Sequence, residues 1–300
     1  MTVAPWLWIV FTLIASVCQT ARNAMQRNLI SDLGTVGATH VRFLFGLPFA
    51  LLFLPAIVIA SGEALPPLTL SAFLWTAAGG LAQMVATGLM LAAMRERSFV
   101  IAIAYTKTEP VQVAILGAVL LADEVTVGIA LAILIASLGV IMLSWPGRGS
   151  WREAISWRPA ALGIGAGGLF ALAAVGYAGG IKALDAPSFL VGASVTLTLA
   201  LAVQAGTLTA FLLARRDGTL GAIFRAWRPS LLAGFTGAFA SQLWFFAFAI
   251  ETAARVRTLA LVEILFAQIV SRRLLEERLA AREIAGIALL IIGVVLILRG

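Results

Sequence analysis

Ten apolar runs, separated by short polar stretches, take up most of this 300-residue chain. They fall near residues 5–29, 37–60, 69–94, 98–121, 127–144, 160–182, 187–214, 229–250, 254–275 and 283–298. At about 1.5 Å per residue, each can cross a hydrocarbon layer about 30 Å thick, allowing for tilt. Backbone inside lipid has to satisfy its own hydrogen bonds, which leaves helices and closed barrels. The runs are long and continuous, without ten-residue segments of alternating polarity, and that selects helices. The expectation is an all-α membrane protein with ten transmembrane helices. Composition agrees, since only 12% of residues are charged, about half the share in soluble domains.

The net charge of +7, from 21 bases and 14 acids, does not signal nucleic acid. The arginines cluster in short loops beside the runs and form no continuous basic stripe. With ten spans both termini share one side, and the odd-numbered loops face the other. Those odd loops hold fifteen arginines, Arg22 and Arg27 among them, whereas the even loops and tails hold Lys182, Arg255, Arg257 and Arg299. That bias predicts odd loops in the cytoplasm and both termini outside. The single cysteine, Cys18, lies in the first run and makes no internal disulfide. Ala15–Cys18 loosely resembles a lipoprotein cleavage box, but Val17 is bulky and no base precedes the run, so a retained helix is expected.

The chain also repeats itself. Residues 93–143, shifted by 154 places, lie without a gap over 247–297. Glu109 then falls on Glu263, Asp123 on Glu277, and Gly139-Val140 on Gly293-Val294. Five spans, a linker, and five more give 1–144, 145–159 and 160–300. An odd number of spans per repeat makes the halves run oppositely across the membrane, so the fold class is ten transmembrane helices as two inverted five-helix repeats. Transporters built this way hold their substrate near the midplane, between the halves.

Ala93, Ser98, Glu109 and Pro110, then a short acidic turn at Asp123 and a span ending in Gly139-Val140, resemble the EamA-type repeat of the drug/metabolite transporter superfamily. Ala247, Thr252, Glu263, Glu277, Gly293 and Val294 carry the pattern in the second half, with Ile264 in place of the proline. Arg42, early in the second span, resembles an arginine often carried by these proteins. The resemblance implies an exporter in a bacterial inner membrane. Two features depart from it: "SGEALPPL" between spans two and three has no base, and the family commonly keeps both termini in the cytoplasm.

The candidate site residues are the polar groups held in apolar surroundings. Lys107 and Glu109 lie near the centre of the fourth run, where a charge costs roughly 2.5–3.5 kcal/mol on insertion scales. Two positions apart on a helix, they point away from each other, so each needs another partner or water. Pro110 cannot donate to the carbonyl of Thr106 and favours a kink there. They line a cavity, or Lys107 staples the bundle to a carboxylate on a neighbouring helix. Trp8, Thr12, Ser16, Gln19, Asn23 and Gln26 follow helical spacing and form one face, which either walls the cavity or packs on polar neighbours. Gln83, Gln242, Tyr105, Trp244 and Arg42 complete the substrate-binding candidates. Glu263 and Glu109 are the coupling candidates. Glu263 has no charged residue within five positions and so needs a proton or a base from the other half.

No HExxH, GxSxG or CxxC motif occurs, and one cysteine with one histidine provides no metal cluster. Gly163–Gly168 matches a dinucleotide fingerprint formally, but within an apolar run it serves close helix packing. The chain is therefore expected to be no enzyme and to use no cofactor or metal. With no ATP-binding loop, transport is secondary, driven by a gradient or by exchange. The expected function is export of a small organic metabolite or drug; the alternatives are import or exchange of a small metabolite on the same fold, and after these an intramembrane enzyme or a structural membrane protein. The partners are that small molecule and the lipid bilayer, with no nucleic acid, as monomer or homodimer.

Overall fold

In the computed structural model, residues 4–96, 105–144, 157–216, 218–266 and 281–299 are described, and every regular element among them is helical. Ser98, linker residues 145–156, Glu277 and the ninth run beyond 266 lie outside the described residues. The helices are α1 (Leu7–Asn28), α2 (Ile30–Leu44), α3 (Leu47–Ser61), α4 (Leu70–Glu96), α5 (Glu109–Leu121) and α6 (Val127–Ser144). They continue as α7 (Trp157–Leu184), α8 (Phe189–Arg215), α9 (Thr219–Arg225), α10 (Trp227–Ile250), α11 (Ala253–Leu259) and α12 (Ala281–Arg299), with a 3-10 turn at Ala260–Val262.

Among the described residues, five stretches are long and apolar enough to cross a membrane: 30–61, 70–96, 157–184, 189–215 and 227–250. Helices 109–121, 127–143 and 284–299 are apolar but shorter. α1 has the length, 22 residues, but its polar face dilutes its hydropathy. The fourth and ninth runs are interrupted where their charges sit, so neither forms one uniform rod.

Local chemistry sets the ends. Leu29 alone separates α1 from α2, and Gly34, at φ +66°, bends α2 in a conformation that costs glycine little. α3 closes on Gly62 at φ +68°, whose N–H donates to the Val58 carbonyl. Along α3, Leu52 is 64% and Ile59 81% exposed. In water such a face would be an aggregation hazard, whereas against lipid it is the natural exterior.

The most extensive helix contacts pair α4 with α7, α6 with α12 and α1 with α10. At the α6–α12 crossing, a Cβ on Gly139 would stand 2.5 Å from the Leu290 nitrogen, and one on Gly293 would stand 2.6 Å from the Ala136 nitrogen. Backbones meet there because neither position carries a side chain, the close approach that small residues allow in membrane bundles. The Gly-Val pair seen twice in the sequence thus belongs to one mutual contact. α10 is the most enclosed of the five spanning stretches, with 72% of its apolar window buried.

Candidate functional site

The two interrupted helices bring their charges together. Residues 105–106 are helical, Lys107–Thr108 form a turn, and α5 restarts at Glu109 with Pro110 in its first turn. The proline lacks the N–H that would continue the ladder, so the expected kink is a full break. Gly167 of α7 backs it: a Cβ there would lie 3.0 Å from the Thr106 carbonyl oxygen and from Thr108 Oγ1. Across the cavity, α11 gives way to the 3-10 turn at Ala260–Val262, and α-helix resumes at Glu263.

Each acid meets a base from the other segment. Lys107 Nζ donates to Glu263 Oε2 at 2.7 Å, and Arg257 Nε donates to Glu109 Oε1. All four residues are buried. Isolated charges of this kind would be very costly, and pairing is what makes them tolerable. Lys107 and Glu109 each take a partner from the other segment, although the break at Lys107–Thr108 removes the helical spacing expected to hold them apart, and the base that Glu263 needs is Lys107. Gln19 connects this cluster to α10: its Nε2 donates to Glu263 Oε2 at 3.3 Å, and Trp244 Nε1 donates to its Oε1 at 3.1 Å. The Arg257 guanidinium lies 4.7 Å from the Trp244 ring centroid, a cation–π contact.

These groups surround a narrow cavity of about 20 Å³, whose wall also holds Arg22, Asn23, Arg42, Gln83 and Phe170. A neighbouring space of about 20 Å³ shares Gln19, Gln83, Phe170 and Arg257 and adds Tyr177, Trp244 and Phe248. Gln83 Oε1 accepts from Tyr177 Oη and from Gln204 Nε2, each at 2.9 Å, tying α4 to α7 and α8. A wider vestibule of about 440 Å³ lies where α5, α7 and α10 end, lined by Asp123, Lys182, Asp185, Glu251 and Phe248 among others. Phe248 thus faces both the vestibule and the inner space. The acidic turn is tied down there, with Lys182 Nζ donating to Asp123 Oδ1 at 2.8 Å.

Of the sequence candidates, Gln19, Asn23, Arg42, Gln83, Lys107, Glu109 and Glu263 line the charged cavity, and Trp244 lines the space beside it. Trp8, Ser16, Tyr105 and Gln242 are not on these walls. Ser16 Oγ donates to the Thr12 carbonyl and Thr12 Oγ1 to that of Trp8. Gln26 Nε2 donates to the Ala38 carbonyl at 2.8 Å. Trp8 sits under the Arg255 guanidinium, Tyr105 packs on Gly163, and Gln242 Nε2 donates to Ser194 Oγ. Only the middle of the α1 stripe faces the cavity; its ends satisfy themselves on backbone and neighbours. Gly163, Gly167 and Gly168 each press against the segment 105–112, so the glycine-rich stretch serves packing.

Two charged wall residues were not site candidates in the sequence. Arg22 and Arg257 counted there as loop charges, yet they are 1% and 9% exposed and face the cavity. The signal for Arg22 was its place three after Gln19 and four before Gln26, on the polar face itself. Removing both from the loop count leaves fourteen against three, so the expected orientation keeps its sign.

An all-helical membrane protein with paired charges around a central cavity is the class these features define. Residues 6–145, just under half of the chain, match the EamA-like transporter family, so this part of the chain is similar to that family. A solved crystal structure of a protein superposes with a TM-score of 0.63 at 13% identity, covering 95% of this chain and 98% of the other. At that identity the likeness is one of fold. Among curated proteins none matches.

Proposed function

We propose that this protein is a secondary transporter that moves a small organic metabolite or drug across a bacterial inner membrane, with the charged cavity as its substrate site. The observation that carries this reading is the crossed pairing, in which each carboxylate of one half is held by a base of the other: Glu109 by Arg257 and Glu263 by Lys107. A cavity made this way opens and closes as the halves rock, which is how alternating access works around a midplane site.

Ten spans in two inverted repeats, 1–144 and 160–300 about a linker, are part of the proposal. Helix ends recur at the 154-residue shift, Ser61 with Arg215 and Glu96 with Ile250. The extensive contacts obey the same shift: α4 with α7 maps onto α10 with α1, and α6 with α12 maps onto itself. On the arginine bias, the vestibule beside Asp123, Lys182 and Glu251 faces the periplasm. Export is the direction that the family resemblance favours; import or exchange on the same cavity is the second reading.

Purified protein in liposomes, loaded with a panel of carboxylates, phosphate esters, amino acids and amines, tests the function. Flux of one class that disappears in Lys107→Met is expected. Chemical conversion of a panel member without flux would instead make the protein an intramembrane enzyme. In the same vesicles, Glu263→Gln is expected to abolish accumulation driven by a proton gradient while leaving exchange. If net transport in the variant still follows the proton gradient as in the wild type, Glu263 is not the coupling group.

A further inference from the structure

The charges on the cavity wall do not balance. Among the described residues, Arg22, Arg42, Lys107 and Arg257 face it together with only Glu109 and Glu263, four bases against two acids. Both acids are already engaged, by Arg257 and Lys107. Arg22 and Arg42 remain, 1% and 2% exposed, and among the described residues neither makes an ion pair. A guanidinium does not escape burial by losing its proton.

Their hydrogen bonding is incomplete as well. Arg22 Nη2 donates to Asn23 Oδ1 at 2.6 Å, but its Nε and Nη1 are buried without an acceptor. Arg42 makes two long contacts, Nη1 to Thr87 Oγ1 and Nη2 to Ser241 Oγ, both at 3.4 Å, and its Nε has no acceptor. The two side chains come from α1 and α2 and converge on Gly237 of α10. A Cβ there would lie 3.0 Å from Arg22 Cδ and 3.4 Å from Arg42 Cγ. Two like charges brought together in a low dielectric, with donors left over, form an arrangement that an anion completes.

We propose that Arg22 and Arg42 bind the oxyanion group of the substrate, a carboxylate or a phosphate, and that this cavity selects small organic anions. Guanidinium is the group suited to this, because its fork of donors matches both oxyanions bidentately. Gln19 and Gln83 then face the uncharged part of the substrate, with Phe170 as an apolar wall. An excess of two positive charges favours a dianion over a monoanion. The bases in the ion pairs hold the two halves together, while those outside them hold the cargo. This inference rests on the transport reading and adds the substrate's charge to it.

The test measures binding and flux separately. Purified protein is titrated with succinate, glycerol 3-phosphate, putrescine, leucine and inorganic phosphate, with thermal shift and calorimetry as readouts. Succinate or glycerol 3-phosphate is expected to bind, and whichever binds tells carboxylate from phosphate. Arg42→Gln and Arg22→Gln are each expected to weaken that binding by about tenfold or more, with Arg42→Lys intermediate. Binding of putrescine or leucine in preference to both anions overturns the proposal, and this arm needs only wild-type protein. Equal anion affinity in both glutamine variants overturns it too, as does stabilisation by inorganic phosphate alone. Flux of a cation or neutral compound in liposomes would sink the anion assignment and leave transport standing. Anion binding without flux of any panel member would sink transport and leave the anion site.

Discussion

Lys107 and Glu263, 156 positions apart in the chain, meet at 2.7 Å in the interior of the protein. Arg257 and Glu109 form the reciprocal contact. Neither pair is visible as a local motif, because each joins residues from different halves. Their burial makes them sensitive to one-sided change: leaving a charge alone costs far more than removing both.

Lys107→Met should therefore lower stability by about 3–5 kcal/mol, since Glu263 is left charged or must take a proton. The double variant Lys107→Met with Glu263→Leu should recover most of that loss, because the volume is kept and no charge is stranded. Thermal unfolding in detergent reads both. Recovery of stability without recovery of transport would assign the pair to the working cavity; full transport in the double variant would make it a staple.

Cysteine labelling should divide the α1 stripe. In a Cys18→Ala background, single cysteines at Gln19 and Asn23 face the cavity and should react with small water-soluble thiol reagents. Thr12 and Ser16, both fully buried with hydroxyls donating to backbone carbonyls, should stay protected. Equal labelling at all four positions would contradict the described placement.

The α6–α12 crossing should tolerate no side chain at its glycines. A Cβ on Gly139 would come within 2.5 Å of the Leu290 nitrogen and 2.7 Å of the Gly286 carbonyl oxygen. Gly139→Ala should destabilise by about 1–3 kcal/mol or more, because backbone must move to admit it. Gly128→Ala, at the open start of α6 with nothing nearer than 3.8 Å, should be neutral. The difference in melting temperature between the two variants is the measurement.

Topology follows from the arginines. An alkaline phosphatase fused after residue 300 should be active, because the basic loops lie on the opposite side from the termini. A silent phosphatase fusion beside a fluorescent cytoplasmic reporter at the same site would reverse the orientation, and with it the side on which the vestibule opens.

Much of this architecture is legible in the sequence. Apolar run length dictates helices in lipid, since unsatisfied backbone there is prohibitive. Pro110 marked the break in the fourth run. The 154-residue repeat marked Glu109 and Glu263 as equivalents, and Gly139 and Gly293 as a recurring pair. These are periodic or one-residue effects, and a sequence displays them directly.

Only the tertiary structure decided who partners whom. Arg22 and Arg257 read as loop bases because charge near the end of an apolar run ordinarily snorkels to the surface, whereas packing carries both into the cavity. Trp8 and Ser16 share a helix face with Gln19, but which part of the face meets open space depends on where α10 and α11 lie against α1. Lys107 needed a carboxylate, and the sequence could not name Glu263, 156 positions away, as the one that meets it. The physical reason is range: helix formation and lipid burial are local properties of a run, while the balance of buried charge is a sum over every element that reaches the same cavity.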